Sequence, residues 1–393
     1  PFDEQCGNRQ RVSDVGFATF AQLAGMHLGR IVDGVLKLLP LVRSEIRFGH
    51  LQQLVLVHIP SIRYTHTNVC CILNVKELML RETTTMIRIA INGFGRIGRN
   101  AFKIAFERDD VEVIAINDLT DTKTLAHLLK HDSSYGAYAH EVGHDDTGII
   151  VNGKHVKVLA EKEPSALPWR DNDIDVVIES TGFFVDPAKA QAHIDAGAKK
   201  VVISAPAKGD GADTIVLGVN EDKIPDSTPV ISNASCTTNC ITPVMAVLES
   251  EFGIEKAMMT TVHSYTASQR LQDAPAKDLR EARAAAENIV PTTTGASIAA
   301  GKALPAIDGK FGGLSVRVPT PVVSMSDFVV LLKRDVTVEE INQAFKDAAA
   351  KPFYQGILDV TEEELVSTDF RGNSHSSIVD LPLTNVLGGN LVK

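Results

Sequence analysis

The stretch "MIRIAINGFGRIGRNAFKIAFERDDVEVIAIND", residues 86–118, decides the fold. Within it, "IRIAI" predicts a buried strand, "RNAFKIAFE" predicts a helix and "VEVIAI" predicts a second strand. The glycines of "NGFGRIG" (92–98) stand between the first strand and the helix with the spacing G-x-G-x-x-G. This order indicates a βαβ unit whose helix begins with free N–H groups at the turn.

The glycine turn is typical of a dinucleotide-binding site. Gly93, Gly95 and Gly98 allow a tight turn and let a pyrophosphate approach the N-terminus of the helix. Asp118 ends the second strand, where its carboxylate is placed to accept hydrogen bonds from an adenosine ribose and to repel a 2′-phosphate. The alternative is an ordinary glycine turn beside a solvated acid. The order of the elements favours a cofactor site, and Asp118 favours NAD over NADP.

Beyond residue 118 the chain continues to alternate between strands and helices. Three β-branched runs predict buried strands: "DVVIEST" (175–181), "KKVVISAP" (199–206) and "DTIVLGV" (213–219). The run "PAKAQAHIDAGA" (187–198) predicts a helix between the first two. This rhythm indicates a parallel sheet that is covered by helices on both faces.

From about residue 257 the strands become longer and more polar, as in "AMMTTVHSY", "LSVRVPTPVV" and "SDFVVLLKR". Helices such as "TVEEINQAFKDAAA" (337–350) lie between them. The sequence therefore predicts an α/β protein with two domains. A Rossmann doubly wound parallel sheet forms the NAD-binding domain (86–235), and an α+β catalytic domain (236–393) contains a mixed or antiparallel sheet.

Residues 1–85 differ from the rest of the chain. Their apolar runs, such as "LVRSEIRFGHLQQLVLVHIP", keep neither a helical nor a strand period. We expect Met86 to be the natural start and residues 1–85 to be upstream sequence or an unrelated appendage. The alternative is an additional domain.

The composition excludes several classes of protein. Apolar residues make up 44% and charged residues 22%, as in ordinary globular proteins, and the net charge of -10 argues against nucleic acid as a partner. No run reaches the roughly 18 apolar residues that cross a membrane. The five cysteines are too few and too scattered for a disulfide-built secreted domain. A cytoplasmic protein is expected.

The stretch "SNASCTTNCIT" (232–242) predicts the nucleophile. A strand end leads into a helix with Ser235 as candidate cap, so Cys236 lies at the helix N-terminus, where free N–H groups and the dipole lower a thiol pKa. Cys240 lies one turn deeper and is expected to be buried. Two cysteines without a histidine pair at finger spacing do not predict a metal site, and a disulfide between them is geometrically poor. His263, in "TTVHSYT", is either the base beside Cys236 or a structural histidine.

Residues 86–393 resemble the phosphorylating glyceraldehyde-3-phosphate dehydrogenase family. The matching blocks occur in family order and spacing: "INGFGRIGR", "NDLTD", "IESTGFF", "ISAP", "SNASCTTNC", "TTVHSYT", "NIVPTTTGA", "VRVPTP" and "LTNVLGGNLVK". The resemblance implies NAD-dependent oxidation of glyceraldehyde 3-phosphate with inorganic phosphate to 1,3-bisphosphoglycerate, a step of glycolysis. It also implies a homotetramer in which the loop near 266–290 reaches a neighbour's cofactor.

The resemblance implies roles for individual residues. Cys236 attacks the substrate aldehyde and forms a hemithioacetal and then a thioester, while His263 keeps the thiol ionised and takes the proton as hydride leaves. The other implied contacts are those of the substrate phosphate (Thr266, Arg317), of the attacking phosphate (Ser235, Thr237, Thr294, Gly295) and of the cofactor (Arg96, Ile97, Thr181, Gly182, Ser204).

Two departures from the family leave alternatives open. The chain stops at "GGNLVK", so a further strand, an asparagine loop that holds the nicotinamide and a C-terminal helix are expected to be missing. Ala274-Pro275 stands where NAD-using relatives usually have Leu-Pro. The alternatives are an erythrose-4-phosphate dehydrogenase, a semialdehyde dehydrogenase, whose motifs fit less well, and a catalytically impaired NAD-binding fragment.

Overall fold

The computed structural model describes residues 86–223 and 228–393. The prediction that residues 1–85 are upstream sequence or an unrelated appendage lies outside these described residues. Two large sheets, each with its own helices, and two separate pairs of short strands make up the described part of the chain.

The first sheet is built from residues 87–232. Its region contains the strands β1 (Ile87–Asn92), β2 (Val111–Asn117), β3 (His131–Asp132), β4 (Gly136–Ala137), β5 (Val142–His144), β6 (Gly148–Val151), β7 (Lys154–Leu159), β8 (Val176–Glu179), β9 (Lys200–Ile203), β10 (Asp213–Thr214) and β11 (Val230–Ser232). All except the small hairpin β3–β4 join one nine-stranded sheet. The helices of this region are α1 (Arg96–Phe106), α2 (Thr122–Lys130) and α3 (Pro187–Asp195).

The strand order confirms the doubly wound parallel sheet. Across the sheet the order is β10-β11-β9-β8-β1-β2-β7-β6-β5. The strands from β10 to β7 are parallel, and β6 and β5 add an antiparallel edge. The chain runs outward in one direction from β1 to β2 and in the other from β8, so the order reverses between β1 and β8. Ligands of such sheets bind at this reversal, beyond the carboxyl ends of the strands.

Separate apolar clusters cover the two faces of this sheet. On one face Ile89 and Ile91 of β1 pack with Phe102 of α1. On the other face Ala90 belongs to a cluster with Trp169. Because successive strand residues point to opposite faces, the continuous apolar run of β1 fits a strand that is buried on both sides.

One predicted strand is much shorter than expected. Of the run 213–219 only Asp213–Thr214 forms a strand, although Ile215 and Val216 are buried. The side chain of Asn220 accepts a hydrogen bond from the Val216 N–H at 2.9 Å and thereby closes a turn. The β-branched composition predicted burial correctly but extended structure wrongly.

The second sheet is built from the rest of the chain. Its region contains the strands β12 (Ile254–Ser264), β13 (Val290–Thr292), β14 (Phe311–Val318), β15 (Met325–Leu332), β16 (Leu358–Thr361), β17 (Ser377–Asp380), β18 (Val386–Leu387) and β19 (Leu391–Val392). The helices are α4 (Cys236–Phe252), α5 (Ala296–Ala303) and α6 (Val338–Ala350). The strand order is β13-β14-β12-β15-β19-β18, and β16 pairs only with β17.

This six-stranded sheet is mixed, as predicted. The β12–β14 pair is parallel and the other pairs are antiparallel. Helix α4 covers it with Ile241, Met245 and Leu248, which belong to the core cluster of the second sheet. The apolar face of α4 therefore anchors the helix, and its N-terminus is left at the margin of the core.

The lack of space for a side chain at Gly98 leads to a prediction about stability. An ideal Cβ on Gly98 would lie 2.0 Å from the carbonyl oxygen of Gly93. We predict that Gly98→Ala lowers the free energy of unfolding by about 3 kcal/mol or more, because backbone must move to admit the methyl group. Urea unfolding measures this change.

The matched control is Gly95→Ala. An ideal Cβ on Gly95 meets nothing within 4 Å, and its φ of -71° suits an L residue. We expect a change in unfolding free energy of under about 1 kcal/mol. Equal destabilisation by the two substitutions would contradict the steric explanation.

Candidate active site

The turn before α4 fixes the position of Cys236. Ser235 is the N-cap, with an extended backbone, and its Oγ accepts the Thr238 N–H at 3.0 Å. Ala234, fully buried, has a φ of 56°, in the left-handed region that non-glycine residues rarely adopt. The side chain of Asn239 donates to the Asn233 carbonyl at 2.8 Å and ties the turn to the helix. Cys236 is thus the first residue of α4, as predicted, and it is exposed.

His263 lies beside this thiol. The Cys236 Sγ is 3.4 Å from His263 Nε2, so the pairing that the sequence alone left open is present. His263 is on β12 and is 8% exposed, and its Nδ1 lies 2.7 Å from the Ser264 carbonyl oxygen. The ring is therefore held on one side by backbone and meets the thiol on the other.

The two cysteines of α4 differ in thiol pKa. Cys236 reaches the surface, yet the protein atoms packed around its thiol remove water and oppose ionisation. The hydrogen bond with His263, the charge of that ring and hydrogen bonds from Thr237 outweigh this effect and lower the pKa of Cys236. Burial raises the pKa of Cys240, and its hydrogen bond with Ser377 opposes this only in part. Cys240 is half-buried rather than fully buried, because it faces β17 at the margin of the second core. Of the two thiols, Cys236 therefore has the property that a nucleophile needs.

Arg317 completes the cluster. The register of the parallel strands places it directly beside His263. Its Nη1 lies 2.6 Å from His263 Nδ1 and donates to the Ser264 carbonyl oxygen at 3.3 Å. Burial lowers the pKa of this guanidinium, and the nearby Cys236 and Glu281 charges oppose that change. Its buried Nε has no hydrogen-bond partner among the described residues, which leaves a donor for an anion.

The glycine turn fits a dinucleotide. Gly95 is the N-cap of α1, no side chain caps that helix, and the space at its Cβ position is open. The first N–H groups of α1 therefore face open space at the sheet reversal, as a pyrophosphate requires. Asp118 lies beside the same turn, where its carboxylate accepts the Phe94 N–H at 2.7 Å and the Thr120 N–H at 2.9 Å.

The other cofactor residues of the sequence prediction lie around this edge. Arg96 is exposed and already forms a two-pronged ion pair with Asp132, while Ile97 is half-buried. Thr181 and Gly182 follow β8, and Ser204 follows β9. Their roles as cofactor contacts stay predictions, but the carboxyl ends of β1, β2, β8 and β9 do meet at one edge.

The phosphate residues of the sequence prediction are less tightly grouped. Thr237 is buried next to Cys236, and Thr266 is exposed beyond the end of β12, with its Oγ1 3.0 Å from Ser268 Oγ. Thr294 Oγ1 accepts the Ala296 N–H at 3.1 Å, and Gly295 is the N-cap of α5 without a side-chain cap. Among these predicted residues, Cys236 contacts His263 and Thr237, and His263 contacts Arg317.

Sequence reasoning missed several residues of this region. The left-handed Ala234 carries no sequence signal, because the turn that requires it is set by β11 and α4 together. The carboxylate of Glu179, buried behind the cofactor edge, was also missed, although an acid at the end of an apolar strand run is a usable signal.

No group of three metal-ligating side chains occurs in the part of the chain that the structure describes. Among the described residues, no helix is both long enough and apolar enough to cross a membrane.

The Cys236–His263 contact predicts a pH dependence. Because His263 lowers the pKa of Cys236, His263→Ala should move the midpoint of alkylation by iodoacetamide to higher pH and slow the reaction at neutral pH. The rate is measured across pH, with the modified peptide identified by mass spectrometry. Cys240→Ser is the control and should leave the midpoint unchanged. The same midpoint in wild type and His263→Ala would contradict the interpretation.

Comparison with known proteins identifies the family. Residues 87–187 match the family model described as glyceraldehyde 3-phosphate dehydrogenase, NAD binding domain, and residues 235–393 match the model of its C-terminal domain. The chain is 54% identical over 308 residues to glyceraldehyde-3-phosphate dehydrogenase of Geobacillus stearothermophilus. The aligned region covers 78% of this chain and 91% of that protein. The enzyme of the same name from Borreliella burgdorferi is 53% identical over 313 residues, with 78% and 93% covered. The chain therefore belongs to the glyceraldehyde-3-phosphate dehydrogenase family.

Proposed function

We propose that this protein is an NAD-dependent phosphorylating dehydrogenase that converts glyceraldehyde 3-phosphate and inorganic phosphate to 1,3-bisphosphoglycerate in glycolysis. The observation that carries the proposal is the 3.4 Å contact between Cys236 Sγ and His263 Nε2 at the open N-terminus of α4. Family membership supports the substrate, because relatives that match over most of their length bear that enzyme's name. An aldehyde needs such a thiolate for covalent capture.

The first chemical step is attack by the Cys236 thiolate on the aldehyde carbon. The C–S bond forms as the carbonyl π bond becomes an oxyanion, and the His263 ring is the proton donor and acceptor for that oxygen. NAD, when bound, would supply one function, acceptance of hydride from the carbon attached to sulfur. Removal of that hydride and of the hydroxyl proton leaves a thioester on Cys236. Inorganic phosphate then attacks the thioester carbon and releases the thiolate.

Positively charged or N–H-rich groups are available for both phosphate groups of the proposed reaction. Arg317, with its unpaired buried Nε, suits the substrate phosphate together with the exposed Thr266 hydroxyl. The N-terminus of α5, where the N-cap Gly295 has no side chain, suits a second anion, with the Ser235, Thr237 and Thr294 hydroxyls assigned to it. Two anion positions are what a phosphorylating dehydrogenase requires.

The cofactor assignment is NAD. The pyrophosphate would be held by the open turn of Gly93, Gly95 and Gly98 with Arg96 and Ile97, and the ribose by Asp118. Thr181, Gly182 and Ser204 complete the proposed set. Two N–H groups fix the Asp118 carboxylate in place, and its negative charge would repel a 2′-phosphate.

We further propose domain limits of 86–235 for cofactor binding and 236–393 for catalysis, because α4 packs into the second core from its first turns onward.

Assembly into a homotetramer is also proposed. The outer face of the second sheet exposes Met258 (62%), Met325 (56%), Leu314 (45%) and Val329 (39%). The strand register places these side chains on one face of the sheet. Met258 pairs with Val329, Leu314 lies opposite Thr260, and Met325 lies opposite Val262, with Asp327 between Val329 and Met325 on β15. Apolar side chains that are exposed together on one face of a sheet are typical of symmetric interfaces. A reducing cytoplasm suits the free thiol of Cys236.

The activity prediction is phosphate-dependent formation of NADH from glyceraldehyde 3-phosphate. Cys236→Ser should abolish it, His263→Asn should lower kcat by roughly 10²–10⁴-fold through loss of the acid–base group, and the control Cys240→Ser should stay active. Oxidation that is independent of phosphate would favour an erythrose-4-phosphate dehydrogenase instead. Stoichiometric NAD binding without thiol reactivity would favour an impaired NAD-binding fragment.

The assembly prediction uses the apolar patch. Met258→Lys should convert the wild-type assembly to smaller species, because an ammonium group would be desolvated in the interface. Sedimentation velocity measures this. Leu128→Lys is the matched control, since Leu128 is 39% exposed on α2 in the first sheet's region and should not affect assembly. A wild-type protein that is monomeric at all concentrations would contradict the proposal.

A further inference from the structure

A buried polar network lies behind the carboxyl ends of β1 and β8, and the proposed chemistry does not use it. Its centre is Glu179, the last residue of β8, which is 1% exposed. Glu179 Oε1 accepts both the N–H of Thr181, at 2.8 Å, and the Thr181 hydroxyl. Glu179 Oε2 accepts the side-chain amide of Asn92 at 2.6 Å and lies 3.1 Å from His193 Nε2.

The tryptophan at the end of the network sets the direction of its hydrogen bonds. The Trp169 indole N–H can only donate, and it lies 3.0 Å from His193 Nδ1. His193 is 0% exposed, so Nδ1 is the acceptor and Nε2 carries the proton that is donated to Glu179. Four donors therefore converge on one carboxylate, which is an acceptor-only group when ionised. Charge-assisted hydrogen bonds of this kind hold geometry strongly.

The groups held by Glu179 form both walls of the crevice at the sheet reversal. Asn92 immediately precedes the glycine turn, and its own Oδ1 accepts the Asn117 side-chain amide from β2 at 2.7 Å. Thr181 begins the opposite wall, and its hydroxyl accepts the Phe183 N–H at 3.0 Å. The walls also touch directly, because an ideal Cβ on Gly93 would lie 2.6 Å from the Thr181 nitrogen.

We propose that Glu179 is a positioning residue for the cofactor: its buried carboxylate clamps the glycine turn through Asn92 and the 181–183 loop through Thr181 at the separation that binds NAD. This inference rests on the proposed role of these two walls in NAD binding. The clamp acts before binding, so the crevice is preorganised and the cofactor does not have to order it. Glu179 itself stays beneath the walls and touches no reacting atom.

The substitution Glu179→Gln tests the clamp with little change of volume. A glutamine side chain presents one acceptor and one donor group, so it cannot satisfy the donors from Thr181, Asn92 and His193 together. We expect the dissociation constant of NAD, measured by calorimetric titration of the full chain, to rise roughly tenfold to hundredfold. The kcat at saturating NAD should stay within about threefold, because Cys236 and His263 lie outside the network.

The emission of Trp169 gives a readout that a general loss of stability would not produce. The sequence contains one tryptophan, so emission reports on the network alone. Glu179→Gln should change the emission of the folded protein, because the charged acceptor that holds the His193 ring against the Trp169 indole N–H is lost. Asn220→Ala is the matched control, since it removes a buried side chain from the far edge of the same sheet and should leave both the emission and the NAD affinity unchanged.

A double-mutant cycle identifies the path of the effect. If Glu179 acts through Thr181, then Glu179→Gln combined with Thr181→Val weakens NAD binding no more than the stronger single substitution does. If the double variant raises the dissociation constant of NAD by the product of the two single effects, the inference is overturned. It is also overturned if wild type and Glu179→Gln bind NAD with equal affinity. If Glu179→Gln does not fold, Thr181→Val alone decides: weaker NAD binding with altered Trp169 emission supports the clamp, and unaltered emission overturns it. Absence of NAD binding by the wild type would overturn the proposed function as well.

Discussion

The first sheet and its crevice depend on contacts in which backbone meets backbone without an intervening side chain. Gly98 leaves no room for a Cβ against the Gly93 carbonyl, and Gly93 leaves none against the Thr181 nitrogen. Helix α1 can therefore begin directly above the end of β1, with its free N–H groups at the sheet reversal. A side chain at either position would separate these segments and remove the concave surface that suits a pyrophosphate.

The features that the sequence predicted are those that local rules determine. The βαβ unit follows from short apolar runs around a glycine turn, and the position of Cys236 follows from the cap Ser235 and the helical spacing after it. The one overlong strand, 213–219, shows the limit of such rules. β-Branched residues indicate burial, but the Asn220 side chain, which accepts the Val216 N–H and ends the strand, lies outside the run.

The features that the sequence could not supply depend on contacts distant along the chain. His263 meets Cys236 only because α4 packs across the second sheet, and Arg317 meets His263 only through the parallel register of β12 and β14. The family resemblance named these residues, whereas periodicity carries no information about register between strands that are some fifty residues apart. The clamp around Glu179 is hidden for the same reason.

The position of the Cys236 thiol is determined by side chains that take no part in the proposed chemistry. The left-handed backbone of Ala234 costs about 1–3 kcal/mol. Ile241, Met245 and Leu248, all at most 4% exposed, anchor the same helix, and burial of each contributes about 1.5–3 kcal/mol. Because the anchoring exceeds the strain, the core can hold the turn before Cys236 in an unfavourable conformation. The helix N-terminus then projects the thiol out of the core toward His263, where an aldehyde can reach it.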